Sequence, residues 1–478
     1  MESLRPELLR DLPVWFWVVV HSAPAAWCVY HALLYKRDPR AATGWIMACL
    51  FVPVLGPLAY FFFGINRIHR RARSLRRPLY AIEYEGLHPR EGPRVSGDVG
   101  LAAAGALVTG AAVVPGNVVT PMHNGDEAYP AMIEAIGRAR HRVLLATYIM
   151  NADGAGQAFA TALTAAVERG VTVQVLLDGI GEWYSMPRIA RRLARGGVLT
   201  ATFLRPRLLP PSIYLNLRNH RKMLVVDDAV GFVGGMNISD GNRCEMGRPR
   251  RISDIHFRLE GPVVATIAEV FRDDWAFATG KSPPVPVTDL PRAGPGGLGC
   301  RVIPDGPSKD LDALALTIQA AIGCAARAVD IMTPYFLPGR DLIASLVSAS
   351  LRGVRVRIVL PAQNNLVYVH WANRNTLAEL LQWGIEVYYQ PPPFCHSKLF
   401  CVDDEYSLIG SANLDARSLR LNFEIGVEVF GAELNAALRA HVDAVIAHSQ
   451  RLELGELDQR PVLVRLRDSA AALVSPYL

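Results

Sequence analysis

The sequence predicts an α/β protein. Two copies of one helix–strand unit, their mixed sheets covered by helices and facing each other as a pseudo-dimer, follow an N-terminal transmembrane helical hairpin. Three observations predict this. Two long uncharged stretches lie near the N-terminus, the rest of the 478-residue chain repeats itself, and a His-x-Lys motif recurs once per copy with identical internal spacing.

The bulk numbers set the frame. A chain of this length exceeds one typical domain. Hydrophobic residues make up 51%, with mean hydropathy +0.18, high for a soluble enzyme. The net charge of +6 suits nucleic acid and an anionic membrane surface equally and decides between neither. Seven cysteines, at 28, 49, 244, 300, 324, 395 and 401, form no C-x-x-C pair and are odd in number. That argues against a disulfide framework or a zinc site and for reduced thiols in the cytosol. Cys395, beside His396, reads as a buried small residue.

From Leu12 to Tyr35 and from Ala41 to Asn66 no side chain is charged. Each stretch is long enough for a ~30 Å hydrocarbon core at about 1.5 Å per residue, and the polar link Lys36–Arg40 joins them as a hairpin. Pro53 and Pro57 interrupt the second. Arg5, Arg10, Arg67, Arg70, Arg71, Arg73, Arg76 and Arg77 flank the pair, against Lys36, Arg37 and Arg40 in the loop. The positive-inside rule then puts both tails in the cytoplasm. The expected segments are a hairpin over 1–66, a basic juxtamembrane segment over 67–115, a first domain over 116–280, a linker over 281–299 and a second domain over 300–478. The Gly/Ala/Val-rich stretch 97–114 reads as a helix lying on the membrane or on the first domain.

The repeat is explicit. Thr147-Tyr148 is echoed by Thr333-Pro334-Tyr335, and Arg169-Gly170-Val171 by Arg352-Gly353-Val354. Both of the latter read as a helix, a glycine stop and a buried alternating strand. Third, Asn219-His220-Arg221-Lys222 recurs as Cys395-His396-Ser397-Lys398.

In full, the first motif is His220, Lys222, Asp227 and Gly234-Gly235-Met236-Asn237, and the second is His396, Lys398, Asp403 and Gly410-Ser411-Ala412-Asn413. A lone H-x-K is noise; two copies with one spacing are a signal. Residues two apart on a strand share a face, so each histidine projects with its lysine. The small Gly-Gly or Gly-Ser admits close approach, and the asparagine offers an amide. Two such edges facing each other surround one point with two imidazoles, two ammoniums and two amides. That set fits a phosphodiester: one histidine as nucleophile, the other as general acid, cations on the equatorial oxygens. No metal and no cofactor are expected, because the lysines supply the positive charge.

The paired motif resembles that of the phospholipase D superfamily. The hairpin, Pro334-Tyr335-Phe336-Leu337-Pro338 and the run from Gly410 to Glu424 resemble bacterial cardiolipin synthases. The resemblance implies two phospholipase D-like domains, a phospholipid substrate (phosphatidylglycerol), and a multi-pass protein of the bacterial inner membrane with a cytoplasmic catalytic region. It implies transfer of a phosphatidyl group to a second phosphatidylglycerol with release of glycerol, through a phosphohistidine on the N-terminal motif, hence His220 as nucleophile and His396 as acid. It also implies an acidic residue that orients each histidine. Glu424, 28 positions after His396, matches in the second copy, and Asp254, 34 after His220, is the counterpart in the first. Glu424 would then hold His396 as an imidazolium. Asp227 and Asp403 complete the family motif and count with the catalytic set, although their strand phase points away from the reaction and favours a structural role. Gly235, where the second copy has Ser411, leaves one phosphate-binding hydroxyl missing.

The alternatives are hydrolysis of the same intermediate by water, as in a phospholipase or nuclease, and a non-catalytic membrane scaffold. The hairpin favours lipid over nucleic acid, for which no basic–aromatic pattern is seen. Complete motifs in both halves disfavour the scaffold. His123, His141, His256 and His370 read as ordinary structural histidines, with His370-Trp371 a lesser candidate for a headgroup pocket.

Overall fold

The structure, a computed structural model, describes residues 14–36, 39–64, 99–184, 186–205, 217–245, 251–281, 297–306 and 312–473. The chain divides into two compact units, Met1–Ser74 and Leu75–Leu478. The flanking arginines at 5, 10, 67, 70, 71, 73, 76 and 77, and most of the expected linker, lie outside the described residues.

The N-terminal unit pairs helix Val14–Tyr35 with helix Pro39–Phe51. Cys28, Ala32, Cys49 and Tyr60 are buried between them, and His31 Nδ1 meets the Tyr60 hydroxyl at 2.9 Å. The expected pair of full membrane spans is not met: among the described residues no helix is long and apolar enough to cross a membrane. The first helix carries His21, Pro24 and His31 in its apolar run. The second covers only roughly 20 Å at ~1.5 Å per residue. It ends before Pro53, which has no amide hydrogen to donate, and Val54 turns with φ +61° into the short helix Leu55–Ala59 and a π-helical turn at Tyr60–Gly64.

The second unit is built twice on one plan. Strands of the first half are β1 (Val114–His123), β2 (Arg142–Thr147), β3 (Thr172–Asp178), β4 (Leu199–Phe203), β5 (Met223–Val226), β6 (Val230–Gly234), β7 (Ile252–Ser253) and β8 (Ile255–Glu260). Those of the second are β9 (Leu298–Asp305), β10 (Ala328–Met332), β11 (Phe336–Leu337), β12 (Arg355–Pro361), β13 (Glu386–Gln390), β14 (Phe394–Cys395), β15 (Leu399–Val402), β16 (Tyr406–Gly410), β17 (Leu414–Asp415), β18 (Glu424–Phe430) and β19 (Gln450–Arg451). The first half orders its strands β1-β8-β6-β5-β2-β3-β4, and the second β9-β18-β16-β15-β10-β12-β13, with β19 at the far edge. These orders are equivalent strand for strand. Within the large sheet β2-β3-β4 and β10-β12-β13 run parallel and their neighbours antiparallel, so the sheets are mixed, as expected.

The two sheets do not face each other. They join edge to edge into one 15-stranded sheet through β1 and β9. Each is the first strand of its half and presents an edge of unpaired backbone groups. The junction is short and bulged, with Val114 opposite Cys300 and Asn117 opposite Leu298. The buried Asn117 pins it by donating to the carbonyls of Val114 (2.6 Å) and Leu298 (3.2 Å) and accepting from the Val263 amide (2.8 Å).

Helices cover both faces, which explains a departure from the expected alternation: β3 and β12 are buried at every position after the first. Polar residues there face the second helix layer and find partners, as Arg357 does on Asp330 and Asp443. Helix Val99–Thr109 rests on helix Ala313–Cys324 of the second half, with Leu101 in that half's core, which is not the first domain, one of its two expected resting places. Arg301 fixes it by donating to the Ala102 carbonyl. Any side chain at Gly105 would strike that guanidinium.

The glycine stops behave as predicted. Gly170 and Gly353 both adopt φ +86°, and the following Val171 and Val354 amides return to the Ala166 and Ala349 carbonyls, a left-handed helix end. A Cβ at either glycine would meet nothing within 4 Å. Gly170→Ala and Gly353→Ala should therefore each cost about 1 kcal/mol through backbone strain alone, with Asn in place of Ala costing less. Denaturant midpoints of the wild type and the two variants at each position check this.

Candidate active site

The His-x-Lys segments are the extended lead-ins to β5 and β15 rather than parts of those strands. Each leaves its own sheet and pairs with the other half. Asn219 bridges Phe423 in parallel, and the His220 amide donates to the Phe423 carbonyl at 2.9 Å. In the mirror arrangement β14 pairs in parallel with β7, and the His396 amide donates to the Ser253 carbonyl at 2.7 Å. Phe423 and Ser253 immediately precede Glu424 and Asp254, so each histidine is laid beside the other half's carboxylate.

The pairing is therefore crossed, and the expected assignment of partners is corrected. His220 Nδ1 meets both oxygens of Glu424, at 2.9 and 3.1 Å. His396 Nδ1 meets Asp254 Oδ2 at 2.8 Å. Glu424 thus holds His220, not His396. Spacing along the chain could not reveal this, because it measures distance within a copy and the contact lies between copies. Both carboxylates are fully buried. Burial opposes ionisation of Glu424, but His220, Lys222 and the Ser411 hydroxyl outweigh it and hold its pKa below the ordinary value.

The lysines turn back on their own histidines. Lys222 Nζ donates to the His220 carbonyl at 2.7 Å and Lys398 Nζ to that of His396 at 2.6 Å. Lys398 Nζ also lies 3.1 and 3.3 Å from the two ring nitrogens of His396, a crowding His220 does not share. Burial lowers Lys222 to about 7 and also lowers Lys398. Each ammonium depresses the other lysine or the opposite histidine, so the four side chains form one electrostatic cluster. Burial first, and the lysines next to them, bring His220 and His396 to about 4. Both imidazoles are neutral in the free protein at pH 7.

The remaining site residues divide. Ser411 does not point to a phosphate: it donates to Glu424 Oε2 at 2.5 Å and accepts from the Ile425 amide. Gly235 lacks that hydroxyl for a steric reason, since a Cβ there would come within 2.8 Å of Asp254 and 2.9 Å of Lys398 Nζ. The two positions are matched to carboxylates of different length. The Asn413 amide donates to Ser418 Oγ inside the protein, and Asn237 accepts from the Ile149 amide, so both asparagines brace the surrounding loops. Asp227 and Asp403 are not at the reacting point either. They sit in the turns after β5 and β15 with φ +51° and +49°. Each carboxylate takes three backbone amides, from Arg140, His141 and Arg142 and from Ala326, Arg327 and Ala328.

Two tyrosines went unassigned in the sequence. Tyr148 packs edge-on to His220 at 5.4 Å with its face 5.5 Å from Lys222 Nζ, and Tyr335 packs edge-on to His396 at 6.4 Å. Their shared place in the repeat was the available signal. Arg221, between His220 and Lys222, is buried on Asp274 and on the carbonyls of Glu424 and Asp305, locking the crossed strand. His370 meets Arg374 and Trp371 lies under Arg467. His256 is buried against Gly234, and Cys395 is a buried thiol raised to about 11 by burial. Among the described residues no group of three or more His, Cys, Asp and Glu could hold a metal ion.

A family described as cardiolipin synthase, PLD-like domain, matches residues 132–275 and 318–446, one stretch in each half. The chain belongs to this family. A second, described as phospholipase D-nuclease N-terminal, matches residues 23–64. Cardiolipin synthase A of Pseudomonas aeruginosa is 34% identical over 466 residues, covering 94% of this chain and 93% of its own. The major cardiolipin synthase of Bacillus subtilis is 30% identical over 460 residues, covering 93% and 95%. The crystal structure of phosphatidylserine synthase from Haemophilus influenzae shares the fold, with TM-score 0.61 and 18% identity over 75% of this chain and 95% of that one.

Two outcomes follow for the site of this cardiolipin synthase family member. Asp403→Asn should cost about 0.5–1.5 kcal/mol of stability by weakening its bonds to three mostly exposed backbone amides, while turnover per folded molecule stays near wild type; denaturation and active-fraction-corrected rates check it. Second, between pH 6.5 and 4 the unfolded chain binds protons at His220 and His396 that the folded chain refuses. Stability therefore rises with pH through this window and falls as pH drops, by about 1.4 kcal/mol per pH unit for each proton. The double variant His220→Asn/His396→Asn should flatten that slope, leaving the part owed to His256 and His441, which also lie near 4.

Proposed function

We propose that the protein transfers the phosphatidyl group of one phosphatidylglycerol to the headgroup hydroxyl of a second, forming cardiolipin and releasing glycerol. The observation that carries this reading is the crossed pair of histidine–carboxylate contacts with two lysines in one buried cluster. A phosphodiester entering it meets a neutral nucleophile, a second imidazole that its own negative charge helps to protonate, and two lysines already positioned for its oxygens. The family relatives, named cardiolipin synthases, support the choice of lipid.

His220 is proposed as the nucleophile. The bidentate Glu424 contact fixes a proton on Nδ1 and leaves Nε2 with a lone pair for phosphorus. His396 is proposed as the acid. Lys398 against its ring favours proton release, and the arriving phosphodiester anion favours the protonated form that the empty site does not hold. The P–O bond to glycerol breaks as the Nε2–P bond forms, and the proton from His396 goes to the departing oxygen. The acceptor hydroxyl then gives its proton to His396, its oxygen attacks phosphorus, and the bond to His220 breaks. Lys222 and Lys398 stay on the non-bridging oxygens throughout. The apolar N-terminal unit supports association of the protein with the membrane that carries its substrate.

Labelled phosphatidylglycerol given to the purified full chain should yield cardiolipin and glycerol. Phosphatidic acid in place of cardiolipin would move the reading to hydrolysis by the same intermediate. His220→Ala and His396→Ala should each lower turnover by at least ~10³-fold, since either loss removes a reacting group. Acid quench should leave phosphorus on a peptide containing His220; label on His396 instead would exchange the two roles.

A further inference from the structure

We propose that helix Val462–Leu473 and the two loops around the site entrance form one docking face for an anionic lipid bilayer. This rests on the lipid-transfer reading above and adds the surface by which the folded second unit meets its substrate. The helix is held from one side only. Its buried Asp468 takes Arg374, Arg460 and Arg467, and Arg467 caps Trp371 at 4.3 Å. The other side is apolar and open: Leu463, Leu466 and Leu473, on one helical face by their spacing, are 79%, 60% and 81% exposed. Ala471 on the held side packs against the Leu337–Val369–Ala372 cluster that Tyr335 also packs against, which places the helix on the His396 side of the entrance.

The entrance itself is ringed from both halves. The segment after β3 exposes Trp183 (53%) and Met186 (80%), and that after β12, its equivalent strand, exposes Val367 and Tyr368. Tyr184 lies 6.5 Å from Tyr148, the neighbour of His220, and Asn365 accepts the hydroxyl of Tyr335, the neighbour of His396. Large apolar side chains spent on water at three places around one opening mark an interaction surface.

Charge selects the occupant. Across residues 183–199, 362–375 and 459–473 the sole acid is Asp468, and it is fully buried. The same segments present Arg188, Arg191, Arg192 and Arg195 to solvent in the turn and helix that follow Trp183 in the chain. Leucine and tryptophan for the acyl boundary, with arginine and no free carboxylate, match an anionic bilayer.

The test uses the full chain in nanodiscs of phosphatidylglycerol or of phosphatidylcholine. Amide exchange in 181–195 and 462–473 should slow in the anionic discs relative to the zwitterionic ones. Equal exchange in both, or protection that follows protein concentration and ignores lipid charge, as a second copy would give, overturns the proposal. Kinetics supply the second arm. The variant Trp183→Ala/Met186→Ala/Leu463→Asp/Leu466→Asp should lose about tenfold in kcat/KM on bilayer phosphatidylglycerol, through weakened surface binding, and keep wild-type kcat on a short-chain phosphatidylglycerol dissolved as monomers. Equal loss on both substrates, or no loss on either, counts against docking. Wild-type protein that turns over neither substrate defeats the transfer reading instead, and the exchange measurement still decides docking.

Discussion

Everything at the centre of this protein depends on a parallel bridge of one or two residue pairs made twice. Asn219 against Phe423 and β14 against β7 each carry a histidine out of its own sheet and set it beside a carboxylate of the other half. The bridges are short, so they hold only because their surroundings are rigid: the β1–β9 junction pinned by Asn117, and the Arg221–Asp274 pair sealed behind His220. An ion pair so deeply buried adds little net stability, because desolvation offsets the attraction. Its value here is positional, since the guanidinium reaches the Glu424 carbonyl and fixes the strand that carries the carboxylate.

The symmetry is real in topology and broken in chemistry. Glu424 is one methylene longer than Asp254, and Ser411 and Gly235 are matched to that difference. Lys398 leans on its histidine ring and Lys222 does not. From near-identical halves the fold therefore builds two unlike imidazoles, as the proposed division into one nucleophile and one acid requires.

Much of this was legible in the sequence and some could not have been. The repeat, the glycine stops at 170 and 353 and the two H-x-K motifs are local patterns, and local patterns survive in a string of letters. The structural reading of Asp227 and Asp403 followed from strand phase. The partners of the histidines were misassigned because the reasoning stayed within each copy, and the roles of Ser411 and Asn413 because a polar residue near a motif looks the same whether it serves substrate or scaffold. The edge-to-edge sheet was invisible for a related reason: nothing in β1 or β9 alone says which edge it will meet. The N-terminal hairpin rests in the sequence on the absence of charge alone, and among the described residues no helix is long and apolar enough to cross a membrane.

The crossed contacts also bear on how the protein comes into being. Synthesis runs from the N-terminus, and the first half can close its sheet once residue 260 has emerged. At that moment His220 has no carboxylate, and Asp254 has no histidine to orient. Glu424 arrives more than 160 residues later. On the proposed mechanism a nascent chain bearing a complete first motif is chemically silent, and the ability to open a phosphodiester switches on only when the last large strand is laid into the sheet.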